Sequence, residues 1–259
     1  MLLFPRKALF APAVASLLIA FAPAQSETQN SRRNSMAVRE VINQAIGLSP
    51  GAEVSLATIA GPVTIQTGNS PTAQIHIIRG AATQRELQCY RTDVSATPSR
   101  LAIRHVQDKR RGCDSINSRQ EVRLILPRSV NLSMSSIAGH ADIGPIDGRL
   151  KLDSMAGPVK ARGDRSADIS SLAGGLSLTL LPLDRRGVRV SSVVGMTDIT
   201  FARGASADIR VDSVLGNTMS ESRRINLRWN HGRASARVGA GGVPVTISSV
   251  VGHVTFHGG

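Results

Sequence analysis

Aromatic side chains are scarce in this 259-residue sequence, which contains five Phe, one Trp and one Tyr. Proteins that hold single-stranded nucleic acid or sugars by stacking need exposed rings, so both modes of binding are disfavoured. Common catalytic and phosphate-binding signatures are missing as well, because the chain has no GxSxG, HExxH, P-loop or GGxGxD motif. We therefore predict a protein that is not an enzyme, with no catalytic residue, no metal ligand and no cofactor.

Long apolar runs are also missing, apart from one at the start of the chain. Arg6 and Lys7 precede an apolar run over residues 8–21, and Ala22-Pro23-Ala24 supplies small residues for cleavage. This pattern predicts a signal peptide over residues 1–24, hence an exported protein, periplasmic or extracellular, whose mature chain has no transmembrane segment. Residues 25–36 are polar and predict a flexible leader before a repeat domain over residues 37–259.

Cysteine is limited to Cys89 and Cys113. In an exported chain with only two cysteines, an intramolecular disulfide is the expected state. A metal or redox pair is the alternative, but the spacing is not CxxC and no histidine is adjacent. Two histidine-containing pairs, His140 with Asp142 and His253 with His257, also fall short of the three or four ligands of a metal site.

One short sequence pattern, which we call the template, recurs along the chain. Its clearest copy is VRVSSVVGMTDI from Val188, and six other copies align with it on a glycine. The seven glycines are Gly61, Gly139, Gly157, Gly174, Gly195, Gly216 and Gly252. Repetition of strand-type residues at a period near twenty predicts stacked strands, as in a β-solenoid.

Side-chain alternation predicts the shape of each copy. Val188 and Val190 share one parity, whereas Val193 and Ile199 have the other. Since alternate residues of a strand face opposite sides, the chain must bend near Ser192. Every copy has Ser or Thr at this template position, and we interpret these hydroxyls as a structural column at the bend, because no histidine recurs beside them as a base.

The region before residue 127 is less regular. Residues 38–46 fit either a helix or a strand that caps the stack. Strands are predicted over residues 74–78, 87–94, 101–106 and 121–126, with a hairpin turn around Pro98. Residues 109–112, with three basic side chains, form a candidate contact loop.

The net charge is +13, and nearly all basic residues are arginine, which pairs well with phosphate and carboxylate groups. Export and the shortage of aromatics make nucleic acid an improbable partner. Anionic envelope polysaccharide, lipid head groups or another envelope protein are the candidate partners of a monomeric chain. The alternative is that scattered arginines only keep the surface soluble. The candidate anion-binding residues are Lys151, Arg189, Arg210, Arg223, Arg224, Arg228, Arg233 and Arg237. Arg189 and Arg210 occupy the same position in successive copies, and Asp168 interrupts the series after Lys151.

The template copies and the passage VRLILPRSVNLSMSSIAGHADI resemble the bacterial "putative adhesin" family of β-strand repeat proteins, from about Ile42 to the C-terminus. The resemblance implies a β-helix-like envelope domain without established catalytic residues. We therefore predict an all-β, single-domain β-solenoid (β-helix or β-roll-like) of stacked short strands with a less regular, hairpin-containing N-terminal third. Its expected function is an interaction or adhesin-like scaffold. A β-helix carbohydrate-active enzyme and a purely structural, assembly or stress-response protein are the alternatives.

Overall fold

A computed structural model describes residues 37–108, 113, 118–163, 165–182 and 184–258. The predicted signal peptide, the leader and the basic loop at residues 109–112 lie outside this part. Strands dominate it. The first nine are β1 (Val38–Gly47), β2 (Glu53–Ala60), β3 (Val63–Gly68), β4 (Thr72–Ala81), β5 (Tyr90–Thr97), β6 (Arg100–Gln107), β7 (Ser118–Pro127), β8 (Asn131–Ala138) and β9 (Ala141–Ile146).

The remaining strands are β10 (Arg149–Ala156), β11 (Val159–Gly163), β12 (Ser166–Ala173), β13 (Leu176–Leu180), β14 (Val188–Phe201), β15 (Ala207–Ser220), β16 (Arg228–Asn230), β17 (Arg233–Val238) and β18 (Pro244–Gly258). A single short helix, α1 (Gln84–Cys89), is found among the described residues. None of their helices is long and apolar enough to cross a membrane. The predicted all-β class is therefore confirmed.

The template copies pair with one another in parallel and in register. One ladder runs β2, β8, β10, β12, β14, β18 and β15, and it pairs equivalent residues of the copies. The segments after the glycines form a second parallel ladder through β3, β9, β11, β13 and the C-terminal half of β14. Antiparallel strands complete the mixed sheet at both ends. The description of this stack as a solenoid stays a prediction.

The bend predicted at the template hydroxyl is confirmed. Thr58, Ser136, Ser154, Ser171 and Ser192 all have φ between 53° and 59°, in the left-handed region. On either side of Ser192, Val190 and Val193 are fully buried, so the bend lets residues of opposite parity enter the same core. The hydroxyl column is thus a feature of the backbone turn.

The template glycine is fixed by a close contact between stacked copies. Gly195 has φ of +141°, and a Cβ on it would overlap the backbone carbonyl of Gly174 in the neighbouring strand. The other six template glycines are equally tight against a neighbouring backbone. Glycine is required here because the strands stack in register without room for a side chain.

The order of strands differs from the order of the copies in the sequence. The C-terminal strand β18 lies between β14 and β15, so these two successive copies do not pair with each other. Residues 228–238 form an antiparallel hairpin of β16 and β17, in which β17 pairs with the first half of β15. The hairpin turns at His231-Gly232, where both residues have positive φ values, 46° and 78°.

The N-terminal third contains one further difference. Residues 38–46 are a strand, and the hairpin around Pro98 joins β5 and β6 as predicted. Residues 87–89, predicted as strand, belong to α1 instead. The reason is local capping: Thr83 accepts a hydrogen bond from the N–H of Glu86, whose carboxylate accepts one from the N–H of Ala82. A T-x-x-E pattern at residues 83–86 was the signal for this helix.

The predicted disulfide is confirmed. Cys89 at the end of α1 is bonded to Cys113, with 5.7 Å between their Cα atoms. Both residues are buried. The bond ties the helix to the segment after β6, across 24 residues of sequence.

Candidate anion-binding cleft

A row of outward-facing residues crosses the first ladder at the template position of Arg189. Each strand contributes one residue, and the registers of successive pairs define the row. In spatial order it contains Lys151, Asp168, Arg189, Thr246, Arg210, Ser235 and Arg228. Neighbouring strands are about 4.8 Å apart, so Arg210 and Arg228 are separated by about 10 Å at the backbone.

The interruption by Asp168 is as predicted, but direct adjacency of Arg189 and Arg210 is wrong. Thr246 of β18 lies between them, because β18 is inserted between β14 and β15. Sequence order alone could not place Thr246, since the last copy could have stacked at the end of the series. From Arg189 to Arg228 the positive charges of the row are therefore spaced by the neutral hydroxyl residues Thr246 and Ser235.

An open cleft of about 520 Å³ lies at the end of this row, where the β16–β17 hairpin meets β15 and β18. We call it the arginine cleft. Four of the predicted residues line it together: Arg210, Arg224, Arg228 and Arg237. The polar residues Asp208, Asn226, Ser235 and Thr246 complete its lining. Arg224 and Asn226 precede β16, so the segment that leads into the hairpin contributes side chains to the cleft together with Arg228.

Asp208 is the single carboxylate of the arginine cleft, and it is already engaged. Its Oδ1 lies 3.1 Å from Nε of Arg237, and its Oδ2 accepts a hydrogen bond of 2.8 Å from the N–H of Gly242. These contacts, the backbone hydrogen bond first, lower the pKa of Asp208. Asp208 is therefore ionised at neutral pH and balances the charge of Arg237 alone.

Arg210 and Arg228 differ from the other arginines of the hairpin. Arg233 pairs with Asp212 at 2.9 Å, and Arg237 pairs with Asp208. In the described part of the chain, neither Arg210 nor Arg228 has a carboxylate partner, and both are solvent-exposed. Two guanidinium groups facing one cleft without counter-charge can bind phosphate or carboxylate groups through paired hydrogen bonds.

The remaining predicted residues lie outside the arginine cleft. Arg189 and Lys151 continue the row away from it and are exposed. Arg223 is exposed and Arg233 is held by Asp212, and neither lines the cleft. Sequence reasoning missed the hydroxyl and amide groups of Thr246, Ser235 and Asn226, which only the strand order brings together.

Among the described residues, no three His, Cys, Asp or Glu side chains are grouped so that they could hold a metal ion. His257 lies 3.3 Å from a carboxylate oxygen of Glu221 and 3.7 Å from one of Asp198. His140 and His253, the other histidines singled out in the sequence, are exposed.

Comparison with known proteins gives structural neighbours only. A search with protein-family models finds no match, and no curated protein matches the chain. A solved putative cell adhesion protein from Clostridium sporogenes covers 85% of this chain and 100% of its own, with 10% identity and a TM-score of 0.42. A putative adhesin from Bacteroides fragilis covers 84% and 97%, with 12% identity and a TM-score of 0.42.

A further neighbour, a putative adhesin from Parabacteroides merdae, covers 85% of this chain and 96% of its own, with 12% identity and a TM-score of 0.24. Several structural neighbours of this chain are thus bacterial proteins described as putative adhesins or cell adhesion proteins, over most of its length. This is the family that the sequence resembles. Similarity at this level identifies neither a ligand nor an activity.

Proposed function

We propose that this chain is a non-catalytic, adhesin-like binding protein of the bacterial envelope that holds anionic envelope polysaccharide in the arginine cleft. In this proposal the stacked copies form a β-solenoid that acts as a rigid scaffold. The parallel, in-register pairing of the copies supports the scaffold. The disulfide supports an exported location, because such bonds persist in oxidising compartments.

The observation that carries the proposal is that Arg210 and Arg228, which have no carboxylate partner in the described part of the chain, face one cleft whose single lining carboxylate is already engaged. An exposed pair of charges in water contributes little, roughly 0.2–1 kcal/mol. Several cations that act on one polyanion contribute together, and the release of counter-ions makes the affinity fall with salt. A polymer with repeated negative groups could also reach Arg189, two strands from Arg210 along the same row.

The test is binding of the purified chain to isolated envelope fractions across a salt titration. The fractions are lipopolysaccharide, peptidoglycan with its attached anionic polymers, and vesicles of anionic lipid. The variant is Arg210→Ser with Arg228→Ser, and the matched control is Arg100→Ser with Arg104→Ser, two exposed arginines of β6.

Saturable, salt-sensitive binding to a polysaccharide fraction that the cleft variant loses and the control retains would support the proposal. Binding to lipid vesicles alone would show that the ligand is a lipid surface and not a polysaccharide. An absence of binding to every fraction at low salt would overturn the anionic-ligand proposal and direct attention to a protein partner.

A further inference from the structure

A second groove lies at the opposite end of the strand order from the arginine cleft. It has a volume of about 700 Å³ and is formed by the outer faces of β1, β4, β7 and β3. We call it the amide groove, after Asn43, Gln66 and Gln74, which line it with Thr64, His76 and Ile125. The sequence predicted no functional role for any of these residues.

The registers of the four strands arrange these side chains in two parallel rows. One row places Asn43, His76, Arg123 and Thr64 on neighbouring strands, and the next places Ala45, Gln74, Ile125 and Gln66. Gln74 and Gln66 therefore flank Ile125 on either side. Their backbones are two strand spacings apart, about 9.6 Å.

The amide groove carries almost no free charge. Arg123 is the one formally charged residue in its lining, and its Nε lies 2.6 Å from the carboxylate of Glu121. His76 shares a 2.6 Å hydrogen bond between its Nδ1 and Oδ1 of Asn43. In the described part of the chain the amides of Gln66 and Gln74 have no hydrogen-bond partner, and Ile125 between them is 39% exposed.

We propose that the amide groove binds a neutral saccharide. A planar amide offers two donors and one acceptor, which match neighbouring sugar hydroxyls. The amides of Gln66 and Gln74 can form hydrogen bonds with the hydroxyls of a sugar, while the C–H face of that sugar packs on Ile125. The lack of free charge disfavours an anionic ligand, which the arginine cleft suits instead. Without aromatic rings the affinity is expected in the millimolar range.

The proposal is tested by saturation-transfer NMR and calorimetric titration of the full chain with three neutral probes: chitotetraose, cellotetraose and maltotetraose. The groove variant is Gln66→Ala with Gln74→Ala. The matched control is Gln84→Ala with Gln88→Ala, two exposed glutamines of α1 outside the groove. A third variant, Ile125→Asp, places a charge where the sugar would pack.

We expect at least one probe to bind saturably, with affinity that does not change with salt. The groove variant should bind about tenfold more weakly, equivalent to about 1.4 kcal/mol, and Ile125→Asp should not bind. Absence of saturable binding for all three probes, or equal binding by groove variant and control, would overturn the proposal. Arg210→Ser with Arg228→Ser should leave saccharide binding intact, so this proposal and that for the arginine cleft fail independently.

Discussion

Replacement of Gly195 by alanine tests the stacking of the template copies. Gly195 has φ of +141°, a backbone conformation that L side chains rarely adopt. Such strain costs of order 1–3 kcal/mol. A Cβ there would also lie 2.7 Å from the carbonyl carbon of Gly174, where favourable carbon contacts begin at about 3.5 Å. Because the obstacle is backbone on a paired strand, relief requires the strands to separate locally.

We therefore expect Gly195→Ala to lower the free energy of unfolding by about 3 kcal/mol or more. The assay is urea denaturation followed by far-UV circular dichroism. Gly163→Ala is the matched control, since Gly163 lies in β11, has no positive φ, and a Cβ there has no heavy atom within 4 Å. That control should be neutral or stabilising by about 0.4–1 kcal/mol. Equal unfolding midpoints for the two variants would refute the glycine contact as a requirement of the stack.

Three further predictions concern other parts of the molecule. Cys89→Ser with Cys113→Ser should cost about 3 kcal/mol of unfolding free energy in urea, since the disulfide closes a loop of 24 residues. Burial, with a smaller contribution from Arg79, lowers the pKa of His105 to about 4. Between pH 6.5 and 4 the unfolded chain therefore binds a proton that the folded chain does not. The free energy of unfolding should fall by up to about 3 kcal/mol from pH 7.5 to 4. His105→Phe should flatten that dependence in pH-resolved urea melts, and an unchanged slope would contradict the assignment. Asp208→Asn should raise the affinity for inorganic polyphosphate several-fold in a binding titration, because it frees Arg237; weaker binding would contradict the charge argument.

Features set by neighbouring residues were predictable from the sequence. The alternation around Val190 and Val193 located the bend, and the repeated glycine aligned the copies that pair in register. The hairpin around Pro98 and the disulfide followed from turn chemistry and from there being only two cysteines. Each of these features depends on side-chain alternation, on a turn sequence or on the pairing of the only two cysteines. Local sequence was therefore sufficient to predict them.

Features set by the order of equivalent strands were not predictable. Copies of one template can pair with one another almost equally well. The local sequence therefore does not predict that β18 inserts between β14 and β15. That insertion places Thr246 beside Arg210, and the antiparallel hairpin places Arg228 and Arg237 on the same cleft. The sequence predicted a group of candidate anion-binding arginines. Which of them share one cleft depends on long-range strand pairing.

The most direct test of the arginine cleft as a binding site is the salt dependence of polyphosphate affinity. Trp229, the single tryptophan, neighbours Arg228 and provides a fluorescence signal. The slope of log affinity against log salt should fall by about 1.5–2 in Arg210→Ser with Arg228→Ser, as expected for the loss of two cationic contacts. The slope should be unchanged in Arg100→Ser with Arg104→Ser. An equal change in both double variants would show that net charge, and not the arginine cleft, governs binding.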